Sequence, residues 1–119
     1  ITRKKNLITT SVNLIEFCDD NIYAGILLSQ ILYWSERTNN KDGWFYKTYK
    51  DWTKEIRINE YIARKAFNHL KAMGIIETKK KRVYGIPVMH FRVKADLLKE
   101  LYSKFLNEKL YRLTLSSFK

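Results

Sequence analysis

The run from Thr48 to Gly85 reads TYKDWTKEIRINEYIARKAFNHLKAMGIIETKKKRVYG, and its punctuation divides it into two short helices and the start of a hairpin. Thr48 suits a helix N-cap, after which Tyr49, Trp52 and Ile56 recur at i, i+3 and i+7 along one stripe. Arg57 and Ile58 leave room only for a sharp corner. Asn59 suits a second N-cap, Glu60 complements the positive end of that helix, and Gly74 supplies a left-handed residue to close it. The spacing predicts a helix from about Glu60 to Met73 with Ile62, Ala63, Ala66, Phe67, Leu70 and Met73 turned inward. Tyr61, Arg64, Lys65 and Asn68 then share the outer face, with Lys71 nearby. Arginine and asparagine have bidentate options for guanine and adenine, and the cations can donate to phosphates. A polar face is also what any solvated helix presents, so this helix alone does not decide between the two readings.

The residues that follow shift the balance. Ile75 and Ile76 begin a strand, Lys79, Lys80, Lys81 and Arg82 form an unbroken basic run, Gly85 and Pro87 mark a turn, and Val88 to Val93 alternates like a returning strand. A basic hairpin directly after an amphipathic helix pair is the pattern of a wing, whose cations reach phosphates or an adjacent groove. The expected fold is therefore α+β, mainly α: a winged helix-turn-helix with a small antiparallel β wing and an added C-terminal helix. The expected DNA-binding residues are Asn59, Tyr61, Arg64, Lys65, Asn68 and Lys71 from the second helix, and Lys79, Lys80, Lys81 and Arg82 from the wing. Double-stranded DNA is the expected partner.

Composition agrees. A chain of 119 residues, 45% hydrophobic, can bury a real core as one domain. Its net charge of +11 and pI of about 9.8 favour a polyanionic partner. Residues 1–20 are balanced at three basic and three acidic, residues 21–74 hold nine against five, and residues 75–119 eleven against four, so the excess peaks around the wing. A single cysteine, Cys18, allows no internal disulfide, and neither a membrane-spanning run nor a signal-peptide pattern is visible. A cytoplasmic location and no membrane partner are the expectation. The chain begins at Ile1 rather than methionine, which leaves open a fragment of something longer.

Along the rest of the chain, Thr2 to Lys5 forms a basic lead that is either a DNA-touching arm or a frayed terminus. Leu7 to Phe17 has no clean period and reads as a strand or a short helix. Asp19, Asp20 and Asn21 look like a helix start, capping being a better account of the paired carboxylates than metal or acid–base chemistry. The helix they open, roughly Asn21 to Arg37, is expected to be the central core helix through Ile22, Tyr23, Ile26, Leu27, Ile31, Leu32 and Trp34, with Gly25 and Ser29 admitting a close neighbour. Asn39 to Gly43 is the clearest loop, and Trp44, Phe45 and Tyr46 make a short aromatic strand beside the wing. Such aromatics either stack on unpaired bases or bury against the sheet.

After the core at about 21–93, Lys94 to Leu110 reads as an amphipathic helix opened near Asp96, with Leu97, Leu98, Leu101, Tyr102, Phe105 and Leu106 in a broad stripe. It either returns to cover the domain or pairs with the same helix of a second chain as a homodimer. Tyr111 to Lys119, with Leu113, Leu115 and Phe118 alternating, continues that helix, adds a strand, or serves as a linker.

The series Ala24-Gly25-Ile26-Leu27-Leu28-Ser29-Gln30-Ile31-Leu32-Tyr33-Trp34, then Gly43-Trp44-Phe45-Tyr46-Lys47-Thr48-Tyr49, Trp52, and Leu70 to Ile76 resembles the winged-helix N-terminal domain of replication proteins from phages and mobile plasmids. That group is similar to the DnaD-like primosome and replisome-organiser proteins. The resemblance spans about Asn21 to Val93 and rests on a helix ending in Gln, apolar residues and Tyr-Trp, an aromatic strand, and a helix ending in Leu, three residues and Gly. Ala63 and Ala66 stand where the pattern has bulkier residues, and the group's C-terminal helicase-loader region is not among these residues. The resemblance implies origin binding at the start of replication, with replication proteins as partners. Transcriptional regulation at an operator is the alternative, because the same domain serves both.

Catalysis finds no support in the sequence. His69, His90 and Cys18 have no metal-ligand spacing, and there is no glycine-rich phosphate loop or nucleophile motif, so neither a cofactor nor an enzyme activity is expected. His69 reads as a surface or phosphate-contacting residue and His90 as sheet surface. A winged helix that binds proteins instead of nucleic acid is the remaining alternative.

Overall fold

The computed structural model describes residues 10–117. The basic lead at residues 2–5, residues 7–9 and residue 118 lie outside them. The chain folds into α1 (Val12–Phe17), α2 (Ile22–Ser35), β1 (Phe45–Tyr46), α3 (Tyr49–Ile56), α4 (Glu60–Ala72), β2 (Ile76–Val83), β3 (Ile86–Val93) and α5 (Ala95–Ser116). The architecture is α+β and mainly helical, with one three-stranded antiparallel sheet in the order β1-β3-β2.

Local chemistry explains most boundaries. Ser11, Asn21, Thr48 and Asn59 each accept a backbone N–H with their side chains at the start of α1, α2, α3 and α4. At α3 the cap is reciprocal: Asp51 N donates to Thr48 Oγ1 at 3.0 Å and Thr48 N donates to Asp51 Oδ2 at 3.1 Å. Arg57 closes α3 in the left-handed region at φ 59°, which turns the chain sharply into Asn59. Gly74, at φ 77°, ends α4 and releases the chain into the sheet.

Within the core, Leu27, Leu28 and Ile31 of α2 meet an aromatic cluster of Phe45, Trp52, Phe67 and Phe91. Phe67 of α4 stacks on Phe91 of β3 with centroids 4.8 Å apart, and Trp52 meets both edge-on at 5.6 and 5.8 Å. This cluster locks α4 against the hairpin. Ala63 and Ala66 are buried as expected of the inward stripe, and their small side chains let α4 sit close to its neighbours. Gly25 does the same for α2 and α1: a Cβ there would lie 2.7 Å from Ile15 Cγ1 and 2.9 Å from Ile15 Cα.

Several sequence expectations need correction. Only Asn21 caps α2; Asp19 and Asp20 form the preceding corner, both left-handed at φ 60° and 61°. Ile22 and Tyr23 are not core residues but are 57% and 44% exposed, because the buried stripe of α2 begins at Ala24 and runs through Leu27, Leu28 and Ile31, and the two residues before it fall outside that stripe. Pro87 lies inside β3, opposite Arg82; the hairpin turn is Tyr84-Gly85, with positive φ at both residues as a two-residue I′ turn requires. In the antiparallel alternation Arg82 and Pro87 face each other at a position that exchanges no hydrogen bonds, so the missing N–H costs nothing there.

The first apolar stretch resolves in part as helix α1. The last helix runs past Leu110 to Ser116, so residues 111–116 continue it. Its first half covers the domain: Leu98 is buried, and Tyr102 and Phe105 meet Phe17 edge-on at 5.2 and 5.6 Å. Lys109 ties it to α1 through Glu16 at 2.8 Å and Asn13 at 2.7 Å. Among the described residues, no helix is long and apolar enough to cross a membrane.

Candidate nucleic-acid interface

With its inward stripe fixed by the aromatic cluster, α4 turns Tyr61, Arg64, Lys65, Asn68 and Lys71 to solvent, all of them exposed. Three of these, Arg64, Asn68 and Lys71, line a recess of about 520 Å³ between α4 and the hairpin, which Lys80 of β2 and Lys50 of α3 also enter. Among the described residues, Glu60 is the only carboxylate that lines it. Glu60 lies 3.4 Å from Arg64, whose guanidinium also rests over the Tyr49 ring at 4.2 Å. Tyr49 is in turn braced edge-on against Phe67. Arg64 is therefore held at the mouth of the recess, where an exposed ion pair gives way readily to a stronger anion. Lys71 and Lys80 have no carboxylate within ion-pair reach among the described residues.

The remaining expected residues are distributed differently. Asn59 commits its Oδ1 to the Ile62 N–H at 2.8 Å, so its side chain is first a helix cap. Tyr61 and Lys65 pair with each other on the flank of α4, the ammonium 5.3 Å from the ring centroid, outside the recess. The basic run of β2 is not one patch. Strand alternation sends successive side chains to opposite faces, so Lys80 and Arg82 share the face of the recess while Lys79 and Lys81 project to the rear of the sheet.

At the rear, Lys79 and Lys81 join Arg37, Trp44, Tyr46 and His90 around a second recess of about 380 Å³. His90 is buried rather than ordinary sheet surface, with its Nδ1 3.0 Å from the Val88 carbonyl. His69 is not on the exposed face of α4: its Nε2 is buried, 3.1 Å from Asp19 Oδ2 in the α1–α2 corner. A residue absent from the sequence expectation stands out at the hairpin tip, where Tyr84 is 99% exposed at φ 50°. The signal was available: a two-residue turn before glycine favours asparagine or aspartate, and here it carries a tyrosine.

A polar network ties α2, α3 and the loop after β1 together. Glu55 accepts hydrogen bonds from Gln30 Nε2 at 2.9 Å, from Trp34 Nε1 at 3.1 Å and from Lys47 Nζ. Lys47 also lies over the Trp34 and Trp52 rings at 4.2 and 4.6 Å. Burial alone would raise the Glu55 pKa, but the hydrogen bonds from Lys47, Gln30 and Trp34, with the charge of Lys47, outweigh it and hold the carboxyl below its ordinary value. Burial, helped by the Asp19 charge, pushes the Cys18 thiol up to about 12, so it stays protonated. Among the described residues, no group of three or more His, Cys, Asp or Glu is placed to hold a metal ion. Compared with protein-family models and with curated proteins, the chain matches none.

Proposed function

We propose that the chain is a winged helix-turn-helix domain that binds double-stranded DNA in a sequence-specific way, with α4 in the major groove and the β2–β3 hairpin as the wing. The observation that carries this reading is the recess between them, which gathers Lys50, Arg64, Asn68, Lys71 and Lys80 around one carboxylate. A cationic concavity of that kind suits a phosphate backbone, and the arginine and asparagine on the exposed face of α4 can reach base edges. Arg82 and Tyr84 extend the same surface toward the hairpin tip, where an exposed ring can lie against a sugar or a neighbouring groove.

Origin recognition at the start of replication of a phage or mobile plasmid is the role that the family resemblance supports. The same kind of surface serves at an operator, and the arrangement of sites separates the two. No catalytic step belongs to this reading. We assign a second copy of the chain to the distal part of α5, where Leu106, Leu110 and Leu113 recur at i, i+4 and i+7 and the last two are exposed.

The test is selection of duplexes from a random pool at two salt concentrations. Enrichment of a repeated or palindromic motif, with affinity falling steeply as salt rises, is the expected result. Tandem repeats would favour an origin over a single operator. An Arg64→Ala variant should lose about 1–3 kcal/mol for the selected site if it reads a base. Salt-sensitive binding without enrichment would reduce the surface to a non-specific anchor, and no binding would leave a protein-interaction module.

A further inference from the structure

We propose that the rear face of the hairpin is a second nucleic-acid site, built for unpaired bases, that holds single-stranded DNA. It is distinct from the recess at α4 and does not depend on what α4 binds. Lys79 and Lys81 point away from α4 into the 380 Å³ rear recess, where Arg37, 3.8 Å from the exposed Glu36, adds a third cation and, among the described residues, no carboxylate lines the walls. Among the described residues, neither lysine has an ion-pair partner. That surface is complementary to a polyanion on a face that a duplex gripped by α4 does not reach.

The aromatic content of the recess narrows the polyanion. Tyr46 lies on the edge strand β1, opposite His90 in register, and is 51% exposed. One side of its ring rests against the His90 imidazole at 5.2 Å. His90 is itself fixed, because the Val88 carbonyl only accepts and Nδ1 must donate to it. Trp44 forms the neighbouring wall. Its backbone is pinned by Thr38 Oγ1 donating to its carbonyl at 2.7 Å and by its N–H donating to Asn40 Oδ1 at 3.3 Å. Lys79 and Arg92 lie over its ring at 4.1 and 4.8 Å, and Arg92 is held by Glu77. These rings are preorganised, and Tyr46 is open to a visitor.

Bases inside a duplex are already stacked on one another and offer no π-face to such a platform, whereas an unpaired base does. Aromatic rings interleaved with Lys79 and Lys81, neither of them ion-paired among the described residues, therefore fit a single strand better than a phosphate backbone alone. Because Lys79 and Lys80 leave the strand on opposite faces, the hairpin can stand between a duplex on one side and a separated strand on the other.

The test uses fluorescein-labelled oligodeoxythymidylate of 15 nucleotides, an abasic strand of the same length, and a duplex, each titrated by anisotropy at two salt concentrations. The whole chain should bind the thymidylate strand, more weakly as salt rises, and should bind the abasic strand clearly less well. Tyr46→Ala should weaken thymidylate binding about five- to hundredfold and Tyr46→Phe should restore it. Lys81→Ser should also weaken it, and this exposed position decides the matter if Tyr46→Ala perturbs the fold by circular dichroism. Arg64→Ala should lower duplex affinity and leave single-strand affinity unchanged, so failure at either site is distinguishable. No binding of the thymidylate strand, equal binding of the abasic strand, or wild-type affinity in Lys81→Ser with Tyr46→Ala would each overturn the proposal.

Discussion

Replacing Glu55 by alanine tests how the interface is held in place. Glu55 and Lys47 have side chains only 21% and 14% exposed, and Glu55 is the common acceptor for Lys47, Gln30 and Trp34. Removing it leaves a largely buried ammonium without its counter-ion and two N–H donors without this acceptor. Breaking a buried pair costs about 3–5 kcal/mol, and the residual exposure here places the loss near the lower end, about 3 kcal/mol. With an unfolding entropy of about 2.1 cal/mol/K per residue, the Tm should fall by about 10–12 °C. Because the folded pKa of Glu55 is depressed, its contribution is fully present above the unfolded value, near 4.5, and is lost as pH falls through the folded value. Urea and thermal unfolding, followed by circular dichroism at neutral and acidic pH, would measure both effects. Lys47→Met in the same series closes a double-mutant cycle, in which the double variant should lose less than the two singles together by at least about 1 kcal/mol. A loss below about 1 kcal/mol for Glu55→Ala, or simple additivity with Lys47→Met, would refute the view that this network braces α2 against α3.

Other perturbations follow from single positions. Tyr84→Asn removes a left-handed tyrosine that makes no packing contact, so it should raise stability by about 0.5–1 kcal/mol while weakening duplex binding; lower stability in thermal unfolding would contradict the turn geometry. Gly25→Ala would ordinarily favour a helix, yet here the new methyl meets the backbone of Ile15, so a net loss of about 1–2 kcal/mol is expected in urea unfolding, and a gain would rule out the close α1–α2 approach. Leu110→Lys with Leu113→Lys should abolish self-association measured by sedimentation equilibrium at high micromolar concentration. A strictly monomeric wild-type chain would remove the seam assigned to α5.

The helix pair was readable in the sequence because its signals are local. Thr48, Asn59 and Gly74 act within one turn of themselves, and the inward stripe of α4 follows directly from helical period. Register across strands was not readable in the same way. The four-cation run looked like one patch until pairing with β3 fixed a continuous strand through it, and alternation then divided it between two faces. Pro87 was misplaced for a related reason, since only the register reveals that its missing N–H faces no partner. His69 and the α1–α2 corner depended on a contact fifty residues away in sequence, between His69 and Asp19, which no local pattern announces. The buried role of His90 likewise required Tyr46 to be brought beside it across β1 and β3.

The cationic recess between α4 and the hairpin is the proposed duplex-binding surface. Its most direct test is the affinity for a selected duplex between about 50 and 200 mM salt, measured for the wild-type chain and for Lys71→Ala with Lys80→Ala. Both lysines are exposed and neither is ion-paired among the described residues, so the fold should be unaffected. If both contact phosphates, the double variant should bind more weakly and its slope of log affinity against log salt should flatten by about two units. Wild-type affinity with an unchanged slope would contradict the assignment of DNA to this surface.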